Sequence, residues 1–270
     1  MNNIIFYTLL YNIKSKFSLD KYLEWGNNIL ESLKKYKLLV FTDEKTYVLL
    51  NKIKDKYNNI EFIIKELSEF QYFTYMNIFE KNTSKLYFPY HDISGELILI
   101  WVNRHIFGRE LKDRYNFEYL CYLDWGYFRD GIYDINIDID RFDKNKIYIG
   151  LIKNDRNYFN KILLKLTTFN KKNVEKLLIN NIYSIGGGAT LISRNMIDKW
   201  IDMYETSFLK FINENIDFKD DQMIILKTFN DNKHDFILLH NYSRENWFPF
   251  VYFFIKKSCE NNEIKQIHYY

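Results

Sequence analysis

The sequence predicts a single-domain α/β fold, a mixed and mostly parallel sheet flanked by helices. Three observations carry this. Short continuous apolar runs alternate with amphipathic stretches of helical length through the first 64 residues, and unbroken apolar strands are the mark of a sheet covered on both faces. An aromatic run, Tyr119 to Leu123, ends abruptly in Asp124-Trp125-Gly126, and open α/β sheets present chemistry at the carboxyl ends of their strands. No repeat, low-complexity linker or shift in composition divides the 270 residues, a length that buries a full core within one domain.

The elements follow in order. Residues 4–10 read as a buried strand. Ser18 or Asp20 then starts an amphipathic helix carrying Leu19, Tyr22, Leu23, Ile29, Leu30 and Leu33 on one side. A strand at 38–41 ends in Thr42-Asp43, a helix covers 44–57, and a third strand covers 60–64. Residues 70–79 are aromatic-rich and fit a short helix among other conformations, and Pro89 breaks whatever precedes it. Residues 96–115 are expected as one helix leading into the strand at 117–123. The strict alternation of residues 134–140 fits a half-exposed strand or an extended loop. Further strands are expected at 147–152 and 236–239, one or two helices within 158–178, and helices at 195–213 and 217–229. Gly186-Gly187-Gly188 reads as a tight turn between apolar segments.

Composition narrows the class. With 47% apolar and 27% charged residues the chain has an ordinary globular balance. A net charge of +3 is too small to imply a nucleic-acid partner, and the lysines are scattered among acids rather than gathered in a block. Tyr and Phe, at 23 each, accompany abundant Lys, Asn and Ile. Their codons are AT-rich, so much of the aromatic content follows from an AT-biased genome, bacterial or that of a large DNA virus. Cys121 and Cys259 have no CxxC partner, which fits two reduced thiols in the cytoplasm, or in a host's cytoplasm if the source is viral. No apolar run approaches the ~20 residues of a membrane helix, so any membrane contact is peripheral.

Candidate chemistry gathers at few places. Asp124 closes a strand, where a rigid backbone suits a carboxylate that holds a hard cation, although capping the turn before Gly126 explains it equally simply. A literal Asp-x-Asp occurs at Asp138-Ile139-Asp140. Its alternation puts both acids on one face, and a solvated face is the stronger reading of it than a metal site. The glycine triplet lacks Gly-x-Gly-x-x-Gly spacing and is no dinucleotide fingerprint. Asp220-Asp221-Gln222 opens a helix, where acids complement the dipole. A carboxylate there can also act as a general base. His240 ends the last strand, with Arg244 and Trp247 close behind. His can take a metal position, Arg can clamp phosphate and Trp can wall a sugar or base.

In this order the pieces resemble glycosyltransferases of the GT-A fold, and more narrowly the HtrL/YibB family, whose members are associated with surface-polysaccharide synthesis. The matching stretches begin with Thr8-Leu9-Leu10-Tyr11-Asn12-Ile13, residues 16–22, Val40-Phe41-Thr42-Asp43 and Trp101-Val102-Asn103-Arg104. They continue with residues 123–129, the glycine triplet, Asp220-Asp221-Gln222 and Trp247-Phe248-Pro249. The resemblance implies transfer of a sugar from a nucleotide-diphosphate donor to a hydroxyl of a glycan, glycolipid or glycoprotein, with residues 1–124 as donor half and 125–270 as acceptor half. It implies that Thr8, Tyr11 and Asp43 line base and ribose, and that Asp124 and His240 hold Mn²⁺ or Mg²⁺. Arg244 and Trp247 would close over the diphosphate. Arg104, Gly126, Gly187 and Gln222 would complete the donor site, although a solvent-facing Arg104 is the simpler expectation. Asp221, with Asp220 as alternate, would be the base of an inverting enzyme. Gly126 stands where the family's metal motif has a second acid, and that departure supports the rival reading, a glycan- or nucleotide-binding protein of the same fold without catalysis.

Overall fold

The computed structural model describes residues 3–83, 93–152, 155–179, 184–241, 247–254 and 264–268. The chain opens β1 (Ile4–Leu9), α1 (Leu19–Ser32), β2 (Lys37–Thr42), α2 (Glu44–Lys54) and β3 (Ile60–Ile64). Two 3-10 turns precede α3 (Met76–Thr83), α4 (Gly95–Asn103), α5 (Phe107–Arg114) and β4 (Tyr119–Leu123). Then come β5 (Ile147–Leu151), α6 (Arg156–Thr167), α7 (Lys171–Ile179), β6 (Ile185–Ser193), α8 (Ile197–Asn213), α9 (Asp221–Asp231), β7 (Phe236–Asn241), α10 (Pro249–Phe254) and β8 (Ile264–His268). Side chains cap the helices where the sequence offers them: Ser18 accepts from Lys21 N, Asp43 from Thr46 N and Asp220 from Gln222 N.

The eight strands form one sheet in the order β3-β2-β1-β4-β6-β5-β7-β8. Pairings among β3, β2, β1 and β4, and between β5 and β7, are parallel; β6 runs antiparallel to both neighbours, and β8 is antiparallel to β7. The expected mixed, mostly parallel sheet is therefore present. Strand alternation splits the core in two. Ile5, Tyr7 and Leu9 of β1 face a layer that includes α4, α5, α8 and α9, whereas Ile4 and Phe6 face α1, α2 and α10. From β1 the chain runs outward through β2 to β3, then returns to lay β4 on the other side of β1. This reversal opens a crevice between the carboxyl ends of β1 and β4, the place where open α/β sheets bind ligands.

Three local expectations are corrected. The helix expected over 96–115 is interrupted at residues 104–106, where the buried Asn103 side chain ends α4: Oδ1 accepts from Tyr72 N at 3.2 Å and Nδ2 donates to Leu99 O at 3.0 Å. The glycine triplet is not a turn but part of β6, where the register against β5 jumps from Ile149–Thr190 to Gly150–Gly186. Residues 187–189 thus bulge away from β5 while Ala189 stays paired with Leu123 of β4. Residues 134–140 form no strand; they run as a loop into a 3-10 turn at Ile139–Arg141, with Asp138 Oδ1 accepting from Asp140 N at 3.2 Å. The Asp-x-Asp at 138–140 is thus an exposed turn motif away from the crevice. Pro89 and Cys259 lie outside the described residues. No helix among the described residues is long and apolar enough to cross a membrane.

Two tryptophans fix α1 against the end of β4. A Cβ added at Gly26 would lie 2.6 Å from the Trp125 ring, and one at Gly126 would lie 2.9 Å from the Trp25 ring. Each Trp therefore rests on the glycine beside the other Trp. Trp125 also donates its indole N–H to Tyr22 O at 2.8 Å. Overpacking a rigid ring costs about 1–3 kcal/mol, so Gly26→Ala and Gly126→Ala are each expected to lower urea-unfolding stability by that amount. Gly186→Ala, whose added Cβ meets nothing closer than 3.7 Å, serves as the nearly neutral control.

Candidate active site

Alternation along β4 sends Leu120, Tyr122 and Asp124 to one side of the sheet, toward the α4–α5 break. The break carries Arg104 and His105, both almost wholly buried. Arg104 is the centre of the site. Its Nη1 donates to Asp124 Oδ1 at 2.8 Å and to Tyr122 OH at 3.0 Å; its Nη2 donates to Gly187 O and Asp221; its Nε reaches His105 Nε2 at 3.4 Å. Tyr122 donates its own hydroxyl to Asp124. Burial works against the Arg104 charge, but Asp221, Tyr122 and Asp124 outweigh it and drive its pKa upward. Burial also pushes the Tyr122 phenol up. The guanidinium is thus a permanent cation that holds two carboxylates, Asp221 fully buried and Asp124 38% exposed.

The glycines make this geometry possible. A Cβ at Gly187 would lie 2.5 Å from Arg104 Nη2 and 3.0 Å from Asp221; a Cβ at Gly188 would lie 3.0 Å from Asp124 Oδ2. Asp124 N in turn donates to Gly188 O at 2.8 Å. Beneath the network, His105 Nε2 lies 2.8 Å from Asp221 Oδ2, and its ring packs on Tyr204 and Trp200. Burial lowers the His105 pKa, which favours the neutral ring. Asp220 caps α9 through Gln222 N, and burial, reinforced by the Asp221 charge, raises its carboxyl. Gln222 Nε2 donates to Ile185 O at 2.7 Å.

These groups floor a cleft of about 380 Å³ at the β1–β4 crevice, with Tyr11, Tyr22, Trp101, Trp247 and Phe248 among its walls. Of the residues singled out from sequence, the cleft brings together Tyr11, Arg104, Asp124, Gly126, Gly187, Asp220, Asp221, Gln222 and Trp247. Thr8, Asp43 and His240 do not line it. Thr8 is fully buried in β1 and does not line the cleft, which leaves no face for a base or ribose. Asp43 caps α2 and lines a separate open pocket beside Glu66 and Glu96. Tyr11 donates its hydroxyl to Lys65 O at 2.9 Å. Arg244 falls outside the described residues. The solvent-facing Arg104 is corrected outright, since its side chain is 2% exposed. His105 was not legible as a site residue; its only signal was adjacency to Arg104.

The residues named for a metal do not fit one. His240 has Nδ1 2.8 Å from Leu151 O, the posture of a metal-ligating imidazole, but it is buried and absent from the cleft lining. Asp124 brings its carboxylate with one oxygen already held by a guanidinium. A second acid at 126 would collide with Trp25. Among the described residues no group of three or more His, Cys, Asp or Glu side chains is placed to hold a metal ion.

No family model and no curated protein matches the sequence. Among solved structures, mouse xyloside xylosyltransferase 1 in its apo form aligns with a TM-score of 0.46 at 10% identity, covering 86% of this chain and 84% of that one. The 4-diphosphocytidyl-2C-methyl-D-erythritol synthase of Anaerococcus prevotii aligns with a TM-score of 0.41 at 10% identity, covering 91% and 89%. Likenesses at this level carry no argument about function.

Two outcomes test the network. Removing one partner of a buried ion pair costs about 3–5 kcal/mol, so Arg104→Met is expected to lose that much stability in urea unfolding. The second concerns pH. Burial depresses the pKa of both His105 and His240, so the unfolded chain binds protons that the folded chain excludes. Stability therefore falls as pH drops from the ordinary imidazole value of about 6.5 toward the depressed folded values. The urea midpoint between pH 7.5 and 5.5 tracks this loss, and the His105→Gln/His240→Gln double variant is expected to show a shallower decline.

Proposed function

We propose that the protein is a glycosyltransferase that moves a sugar from a nucleoside-diphosphate donor to a hydroxyl of a glycan or glycoconjugate. The observation that carries this reading is the placement of a fixed carboxylate–guanidinium–carboxylate array at the crevice between β1 and β4. The position suits a nucleotide. Carboxylates held in place accept hydrogen bonds from sugar hydroxyls, and the aromatic walls pack against a pyranose face or a base. The resemblance of the ordered short motifs to those of the HtrL/YibB family points the same way. In this reading residues 1–124 contribute the donor half and 125–270 the acceptor half.

The roles divide by environment. Asp124 has its Oδ1 in the Arg104 network and its carboxylate partly open to the cleft, so it orients the sugar. Asp221 is engaged by Arg104 and His105. A carboxylate held in place by both of these groups suits orienting. Asp220, whose carboxyl is pushed up by burial, is the better-matched base if the reaction inverts. No step is assigned to Mn²⁺ or Mg²⁺ at Asp124 and His240, because His240 does not line the cleft. A noncatalytic sugar- or nucleotide-binding protein is the second reading. The engagement of Asp221 Oδ2 by both Arg104 and His105 and the glycine at 126 favour it.

A thermal-shift panel of nucleoside diphosphates and nucleotide-sugars tests binding. A ligand at 100 times its Kd adds about 2.7 kcal/mol to the native state. Turnover of UDP- and GDP-sugars then separates enzyme from binder. Asp220→Asn is expected to lower kcat by about 10²–10⁴-fold, with the acid limb of the wild-type pH profile above the ordinary carboxylate range, because the active form is the carboxylate. Asp124→Ala is expected to lose turnover as well. Equal turnover in wild type and Asp124→Ala would remove Asp124 from the mechanism.

A further inference from the structure

We propose that Arg129, assisted by Lys16, is the cation that receives the diphosphate, so that the cleft binds a nucleoside diphosphate without a divalent metal. The inference rests on the glycosyl-transfer reading of this cleft. Transfer breaks the bond between the sugar carbon and a diphosphate oxygen and leaves the electron pair on that oxygen. The acceptor oxygen bonds to the sugar carbon and gives up its proton to the base, Asp220 in this reading. The leaving diphosphate thus gains one negative charge, which the site must meet with positive charge.

Arg104 is not available for this task, because its guanidinium is committed to Asp221, Asp124, Tyr122, Gly187 and His105. Arg129 is in a different position. It follows Asp124 in the same loop and lines the same cleft. Its Nε donates to Gly126 O at 3.2 Å. Its guanidinium lies between two rings, 4.8 Å from the Trp25 centroid and 4.6 Å from that of Phe248. The two rings and the carbonyl fix the orientation of the fork. Among the described residues no carboxylate pairs with it. Lys16 also lines the cleft, held 4.9 Å over the Trp101 ring, again with no ion pair among the described residues. Trp25 links the two cations, since its ring packs 4.9 Å from that of Phe17, the neighbour of Lys16.

The lining therefore holds Asp124 and Asp221 tied to Arg104, Asp220 capping α9 with Lys16 acting on its charge, and Arg129 and Lys16 seated on aromatic rings. A planar guanidinium, pre-oriented and with no carboxylate partner among the described residues, matches phosphate oxygens in two-pronged geometry, and ordering it before binding lowers the entropic cost of the contact. The same Trp25 that seats Arg129 also excludes a side chain at position 126. One ring thus positions the cation and denies the second acid of a metal motif.

Calorimetric titration of inorganic pyrophosphate, UDP and GDP, each in EDTA and in Mn²⁺, tests this on the full chain. Wild type is expected to bind at least one of these diphosphates in EDTA with an affinity that Mn²⁺ does not improve. Arg129→Met is expected to weaken that binding about 10- to 100-fold, with Arg129→Lys and Lys16→Met losing less. Near-UV circular dichroism checks the fold, and if Arg129→Met loses it, Arg129→Lys and Lys16→Met carry the comparison. Binding that appears only with Mn²⁺, or that ignores all three substitutions, overturns this inference and leaves the glycosyltransferase reading standing. If neither these diphosphates nor UDP- and GDP-sugars bind in either buffer, both fall.

Discussion

A single buried guanidinium holds the functional end of this molecule together. Arg104 sits in the break between α4 and α5 and reaches Tyr122 and Asp124 at the end of β4, Gly187 in β6 and Asp221 at the start of α9. Its backbone carbonyl also accepts from the Tyr7 hydroxyl of β1. A charge removed from water is tolerated only when its donors are met. The demands of Arg104 therefore dictate where the ends of β4 and α9 lie, and hence the shape of the cleft floor.

Around that charge the glycines act as shaped space. Gly187 and Gly188 let β6 pass so close to Arg104, Asp221 and Asp124 that any side chain would displace them. The bulge of β6 away from β5 provides the room, because residues 187–189 answer to β4 instead. On the opposite side of the sheet the reciprocal Trp25–Gly126 and Trp125–Gly26 contacts clamp α1 to the loop after β4. That loop presents both Asp124 and Arg129. Acid and cation are thus held by two different devices, an ion-pair network and an aromatic clamp, on either flank of one short segment.

Much of this architecture is legible in the sequence because its signals are local. Continuous apolar runs marked β1, β2, β3 and β4, and helical periodicity marked α1 and α8. Asp124 and the Asp220-Asp221-Gln222 opening stood out because strand ends and helix starts are where acids carry meaning. The rest depended on partners far along the chain. Nothing near Arg104 announces that Asp221 will neutralise it, so an exposed arginine was the natural expectation. His105 gave no signal of its own. The glycine triplet suggested a turn, because its conformational freedom is visible locally while the register jump against β5 is not. The edge strand β8 was missed, since its pairing with β7 rather than its own pattern defines it.

The chemical logic that emerges separates two tasks. Carboxylates locked to Arg104 suit the hydroxyls of a sugar, and cations on aromatic seats suit a diphosphate. The most direct measurement of this division is a crystal structure with whichever nucleoside diphosphate raises the melting temperature most, grown in EDTA. The account predicts density in the β1–β4 crevice, with phosphate oxygens within hydrogen-bond distance of Arg129 and the Arg104–Asp124–Asp221 network unmoved. A nucleotide seated outside this crevice, or one whose phosphates approach His240 instead of Arg129, would contradict it.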